Sequence, residues 1–390
     1  MTSYRPAVDT VVLVELHPLD GSSCHATQHV LVTVLNVFKI QMLRLVKVTS
    51  IQKTSDNETL LQQTVPSEFV RASSVRIQYL FSGNSGTVVP LKQNDVMSCF
   101  MCFVDDALCT MIAEQTNLYA EQFIASHPNL AACSRVHSRQ NTTRDEVKTL
   151  IGMLVLQGIL HKADHKMYFS KRESVDTPFF RKAMSEKQFH LLLKFLHFAD
   201  NTSYDPLVTI SRKLFKIHPI MEHLWRKFRS VYMPERNITI DKSLLLWKGW
   251  LGWKQYIPSK RSRSGIKLFN LCESGSGYVW DFIVYTRKGT NYGSHYPDEK
   301  ITSRIVLELA HNLLGKGHCI YLDIWYTSTD LVDKLTSNNT DVVSTMCSVN
   351  ADMKHTKWSC KNFSKADMIK GTEKIIAVLL TECTINHTEN

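Results

Sequence analysis

Two aspartates stand where a carboxylate could do chemistry. Asp241 lies within "ITIDKS", a stretch that alternates and then runs apolar, and Asp323 closes the apolar run "CIYLD", followed at once by "IWYTS". A short apolar run ending on a charge reads as a buried strand whose last residue emerges at a sheet edge. A carboxylate there could hold a metal ion, or it could cap the next helix. Neighbouring carboxylates repel unless a cation lies between them, and Mg2+ takes such hard oxygen ligands. A pair of Mg2+ ions so held can activate water or a 3′-hydroxyl and stabilise the leaving oxygen in phosphodiester transfer. The two residues are 82 positions apart, and spacing alone leaves surface or capping roles open for both.

The second chemical feature is charge. The net charge is +10 over 390 residues, and it is unevenly spread. From Arg212 to Lys267 fourteen Lys and Arg face three acids, Glu222, Glu235 and Asp241, a local +11 that leaves the remainder near neutral. Positive charge concentrated in this way points to a polyanion, most simply nucleic acid, with a solvated basic face as the bland alternative. The candidates for phosphate contact are Arg226, Lys227, Arg229, Lys248, Lys254, Lys260, Arg261, Arg263 and Lys267. The aromatic and apolar residues interleaved with the first three (Ile220, Met221, Leu224, Trp225, Phe228) share one helical face and read as core.

Elements must carry these residues. Residues 1 to 97 show no sustained period and receive no fold: they are either a poorly ordered leader or a stretch unrelated to the domain after them. From 98 to 236 the pattern is helical. "FVDDALCTMIAEQTNLYAEQFIASHP" places Leu108, Ile112, Tyr119 and Phe123 on one stripe and ends before Pro128. "TTRDEVKTLIGMLVLQGILHK" opens on a capping box, Thr143 with Glu146, ahead of Val147, Leu150, Ile151 and Leu154, and Ser185 with Gln188 repeats the device. From 237 to 390 strands take over. "NITIDKSLLLW" is followed by "IKLFNLCESGSGYVWDFIVYT", two strand-like runs around a hairpin turn. Next comes the amphipathic helix "ITSRIVLELAHNLLGKG" with Gly315 and Gly317 at its end. The Asp323 strand, a helix in "STDLVDKLTSN" and the run "DVVSTMC" complete the order. An antiparallel meander followed by a helical crossover to another strand fits an α/β core of ribonuclease-H type. If its first and fourth strands are neighbours, Asp241 and Asp323 meet at one sheet edge.

Hydrophobic residues make up 44% and charged residues 21%, the balance of an ordinary globular protein. No run of about 18 uninterrupted apolar residues exists, so no membrane span is expected, and the first residues do not read as a signal peptide. Ten cysteines are scattered, with one C-x-x-C pair, Cys99 and Cys102. Zinc would want a second pair at compatible spacing.

From about Phe103 to Asp341 the chain resembles the piggyBac family of transposases and their domesticated derivatives. The resemblance lies in "NLYAEQFIASHP", "GMLVLQGILHKADHKMYFS", "TPFFRKAMSEKQFHLLLKFLHFAD", "ITIDKSLLLWKGWLGWKQYIPSKRSRSGIKLFNLCESGSGYVWDFIVYT" and "SRIVLELAHNLLGKGHCIYLDIWYTS", in family order. It implies a helical dimerisation and DNA-binding region around a ribonuclease-H-like core, a nuclear location and a homodimer. It also implies cut-and-paste transfer with hairpin intermediates at TTAA targets, with DNA rather than a small molecule or a membrane as partner. Asp241 and Asp323 fall on the family's first and second catalytic, metal-binding aspartates.

The departures from the family pattern matter as much. Lys242 stands where Glu usually comes after the first aspartate, Trp250 replaces Arg in "KGR", Ile324 replaces Asn in "DNWY", and Cys347 stands where Arg is expected. No later acid up to Asn390 lies in the motif of the family's third catalytic aspartate, and its cysteine-rich zinc-binding end is not matched. Mg2+ binding is therefore expected to be weak or lost, and no zinc is expected. Three readings stand side by side: a transposase-derived protein that binds DNA without catalysis, a metal-dependent transposase completed by another chain, and a decayed element copy without selected function.

Overall fold

A computed structural model gives the fold. It describes residues 79–91, 95–205, 213–247, 251–258 and 263–346, and the backbone of 369–371 and 374–380. Among these, residues 95 to 227 cluster into one compact unit, and residues 79 to 91 with those from 228 onward form a second.

The first unit is helical. Its elements are α1 (Val96–Met101), α2 (Asp106–Ser126), α3 (Arg144–Gln157), α4 (Pro178–Ala183) and α5 (Glu186–Phe195). It also holds most of α6 (His218–Val231), whose last residues pass into the second unit. Asp105 caps α2 by accepting from the Leu108 N–H at 2.9 Å. The Thr143–Glu146 capping box of α3 is complete, and the helix buries Val147, Leu150, Ile151 and Leu154. Ser185 caps α5, but the Gln188 amide donates to Glu146 Oε1 at 2.9 Å instead of closing a second box. Tyr119, Phe123 and Leu130 pack on a cluster of Ala120, Val136, Leu191 and Phe195.

The second unit is built on a mixed sheet. Its elements begin with β1 (Gly86–Thr87), β2 (Tyr232–Met233), β3 (Asn237–Leu246), β4 (Gln255–Tyr256), β5 (Ser264–Glu273) and β6 (Val279–Val284). Then come α7 (Ile301–Ala310), β7 (Cys319–Leu322), α8 (Thr329–Ser337), β8 (Asp341–Met346), β9 (Ile369–Gly371) and β10 (Lys374–Leu380). β3, β5 and β6 form an antiparallel meander, and β7, β8 and β10 then extend the sheet in parallel from β3. The strand order through the core is thus β6-β5-β3-β7-β8, with α7 connecting to β7 and α8 to β8. This is the meander and crossover expected from the sequence. Ile238, Ile240, Phe269 and Leu271 of the sheet and Ile305, Val306 and Leu309 of α7 are all buried.

Residues 79–91 carry no period of their own, yet they are tied to this unit. Tyr79 Oη donates to Thr336 O at 2.8 Å, Ser82 N to Lys316 O at 3.0 Å, and β1 pairs antiparallel with β2. Gly317, at φ +76°, sits where a Cβ would collide with the Leu80 carbonyl, so both its conformation and its bareness are needed.

Candidate functional site: two aspartates and a lysine at the sheet edge

β3 and β7 run parallel with Asn237 opposite Cys319 and Ile240 opposite Leu322. That register, carried one residue further, would set Asp241 beside Asp323, where β7 ends and the chain turns away, and the charges of both aspartates bear on the Tyr326 hydroxyl. The turn is closed at the Asp323 carbonyl, which accepts from Tyr326 N at 3.0 Å and Thr327 Oγ1 at 3.2 Å. The cap of α8 is Ser328, which accepts from Leu331 N at 3.2 Å. Asp323 is therefore not the helix cap, and that alternative falls away.

A cation already occupies the space beside Asp323. Lys242 Nζ lies 3.1 Å from Asp323 Oδ2, above the rings of Trp325 at 4.6 Å and Tyr326 at 5.6 Å. Asp241 Oδ1 accepts the backbone N–H of the same lysine at 2.6 Å. Lys267 stands close by, over Phe269 at 4.7 Å, Tyr285 at 4.9 Å and Trp325 at 5.3 Å. Burial, and then the charge of Lys242, hold its pKa below the usual lysine value. The Tyr326 side chain is wholly buried, and its hydroxyl has no hydrogen-bond partner among the described residues. Burial, and then the charges of Asp241 and Asp323, push its ionisation far up.

Adjacent carboxylates suit a hard divalent cation, and Mg2+ is the ion the sequence resemblance implies. The donor set does not fit a two-cation site. It offers two acids, one of them engaged by an ammonium, and no cluster of three or more His, Cys, Asp or Glu that could hold a metal occurs among the described residues.

The basic candidates scatter by role. Lys227 Nζ pairs with Asp105 Oδ2 at 2.7 Å, and Arg229 Nη2 with the buried Asp281 at 2.5 Å. Lys267 belongs to the aspartate site. Arg226 and Arg263 are exposed, Lys254 is half-buried, and Lys248, Lys260 and Arg261 lie outside the described residues, as do Trp250 and Cys347. Sequence reasoning missed Lys267, Trp325 and Tyr326 as parts of the site. One signal was available: Lys267 and Phe269 are two residues apart on β5, hence on one face, and Lys242 pairs across from Phe269.

Comparison with known proteins places this geometry. The family model described as Transposase IS4 matches residues 95–376. Human PiggyBac transposable element-derived protein 3 is 27% identical over 241 residues, covering 60% of this chain and 37% of that protein. Human PiggyBac transposable element-derived protein 2 is 23% identical over 250 residues, covering 63% and 39%. The chain thus spans under two fifths of the length of these relatives. The piggyBac transposase in a synaptic complex with hairpin DNA, solved by cryo-EM, superposes with a TM-score of 0.56 at 21% identity, covering 70% of this chain and 56% of that one. At that identity the likeness is one of fold, and it is the ribonuclease-H-like fold that the strand order shows. The matched region covers well over half of the sequence, and the chain belongs to the Transposase IS4 family, in its piggyBac-type branch.

Proposed function

We propose that this chain is a domesticated, transposase-derived DNA-binding protein of the nucleus that does not carry out transposition by itself. The observation that carries the proposal is the Lys242 ammonium on Asp323, 3.1 Å from a carboxylate that the family pattern assigns to a catalytic cation. The family uses a divalent metal; here Mg2+ is held weakly or not at all. DNA binding is supported by the +11 segment from Arg212 to Lys267, in which Arg226 and Arg263 are exposed. In this reading residues 98–236 form the dimerisation and DNA-binding region of a homodimer, and 237–390 the ribonuclease-H-like core. The intact basic segment is the feature that favours this reading over a decayed copy. A second reading, a metal-dependent transposase completed by another chain, draws on the adjacency of Asp241 and Asp323, but it requires Lys242 to leave Asp323.

The test has two arms. Purified protein is incubated with TTAA-flanked transposon ends in Mg2+ and in Mn2+, and no nicks or hairpins are expected. Cleavage that vanishes in Asp241→Ala and Asp323→Ala would promote the second reading. DNA affinity is then measured against salt: a log–log slope of roughly −0.9 per phosphate contacted is expected, flattened when Lys260, Arg261 and Arg263 are replaced together. Binding indifferent to both would return the basic segment to a solvated face.

A further inference from the structure

The site at the edge of β3 and β7 carries its own counter-charge. Lys242 is held from several sides, by Asp323 Oδ2 at 3.1 Å and by the ring faces of Trp325 and Tyr326. A ring face attracts a cation more strongly as water is excluded, and the lysine side chain is 23% exposed against 44% for its aspartate. Lys267 brings a second ammonium over Trp325. Two carboxylates and two ammonium groups make a site of zero net charge, whereas a divalent ion relies on the negative charge of its ligands. The buried Tyr326 hydroxyl, unpartnered among the described residues, lies in the field of both carboxylates.

From these contacts we infer that Lys242 is a built-in counter-ion that silences a divalent-cation site at Asp241 and Asp323, and that removing its charge opens this site to a single divalent ion. The inference rests on the proposed function only in taking the two aspartates as a former cation pair. It reaches further, because it says that the donors remain and that one side chain closes the site.

Mn2+ is the probe, tracked by loss of the free-ion electron paramagnetic resonance signal with the full chain and no DNA. The wild-type chain is expected to show no binding that depends on Asp323. Lys242→Gln is expected to bind one Mn2+ at least about tenfold more tightly, the effect of removing one nearby positive charge. The double variant Lys242→Gln with Asp323→Asn should return to the wild-type titration. Lys242→Met keeps an apolar stem against the rings and replaces the Gln variant if circular dichroism shows that the latter does not fold. Equal binding by wild type and the charge-removed variant, or a gain that persists without Asp323, overturns the inference. Neither result touches DNA affinity or strand cleavage, so failure here is separable from failure of the proposed function.

Discussion

At Asp281, on β6, a carboxylate with 4% of its side chain exposed accepts from Arg229 Nη2 at 2.5 Å; at Asp323, beyond the end of β7, one with 44% exposed meets Lys242 Nζ at 3.1 Å. The two pairs share their chemistry and differ in solvent. Asp281 also accepts from the Phe282 N–H at 2.8 Å, yet burial still pushes its pKa up to about 6 against the opposing pull of Arg229. A charge so enclosed depends on its few partners, because bulk water does not reach it. Asp323 can be hydrated whether or not Lys242 is there, so its pair weighs little in stability. In the inference drawn above, what Lys242 changes is which cation can approach. A buried pair reports on the fold, whereas an exposed pair among aromatic rings leaves its residues open to another role.

Removing the cations one at a time would break or sharpen that contrast. Arg229→Ala should cost about 1–2 kcal/mol in urea unfolding at neutral pH, because Asp281, with a pKa already near 6, takes up a proton once its partner is gone rather than staying buried and charged. A loss below about 1 kcal/mol, the range of exposed pairs, would show that water reaches Asp281 and that the two sites are alike.

Acidity probes the same residue without a change of partner. The folded pKa of Asp281 lies above its unfolded value, so its stabilising contribution is fully present below about 3.8 and is lost as pH rises through about 6. Between about pH 4 and pH 7 the wild type should therefore lose about 2 kcal/mol of stability relative to Asp281→Asn. Parallel curves for the two proteins would mean that Asp281 is ionised throughout.

The smallest effect is expected at the site itself. Lys242→Ala should change unfolding stability by less than about 1 kcal/mol. A cost comparable with that of Arg229→Ala would make Lys242 a structural residue, and the contrast would fail.

Much of this arrangement is legible along the chain because it is local. The Thr143–Glu146 box, the stripe of Val147, Leu150, Ile151 and Leu154, and the hairpin between β5 and β6 each depend on neighbours within a few turns or one tight loop. Gln188 shows where local reading stops: its amide finds Glu146, 42 residues away, in place of the Ser185 backbone. β1 is the extreme case, two residues with no period of their own that become a strand only because Tyr232 and Met233 present open backbone groups.

The sequence by itself determined the family resemblance, the order of the core strands and their two crossover helices, the positions of Asp241 and Asp323, and the oddity of a lysine at 242. Residue type and spacing carry those. Only the tertiary structure decided that Asp323 leaves the capping of α8 to Ser328, that Lys227 and Arg229 are engaged by Asp105 and Asp281, and that Lys242 closes on Asp323 among the rings of Trp325 and Tyr326. Each of these depends on which solvent-excluding surfaces and opposite charges meet across the fold. Sheet register, not sequence distance, sets those meetings.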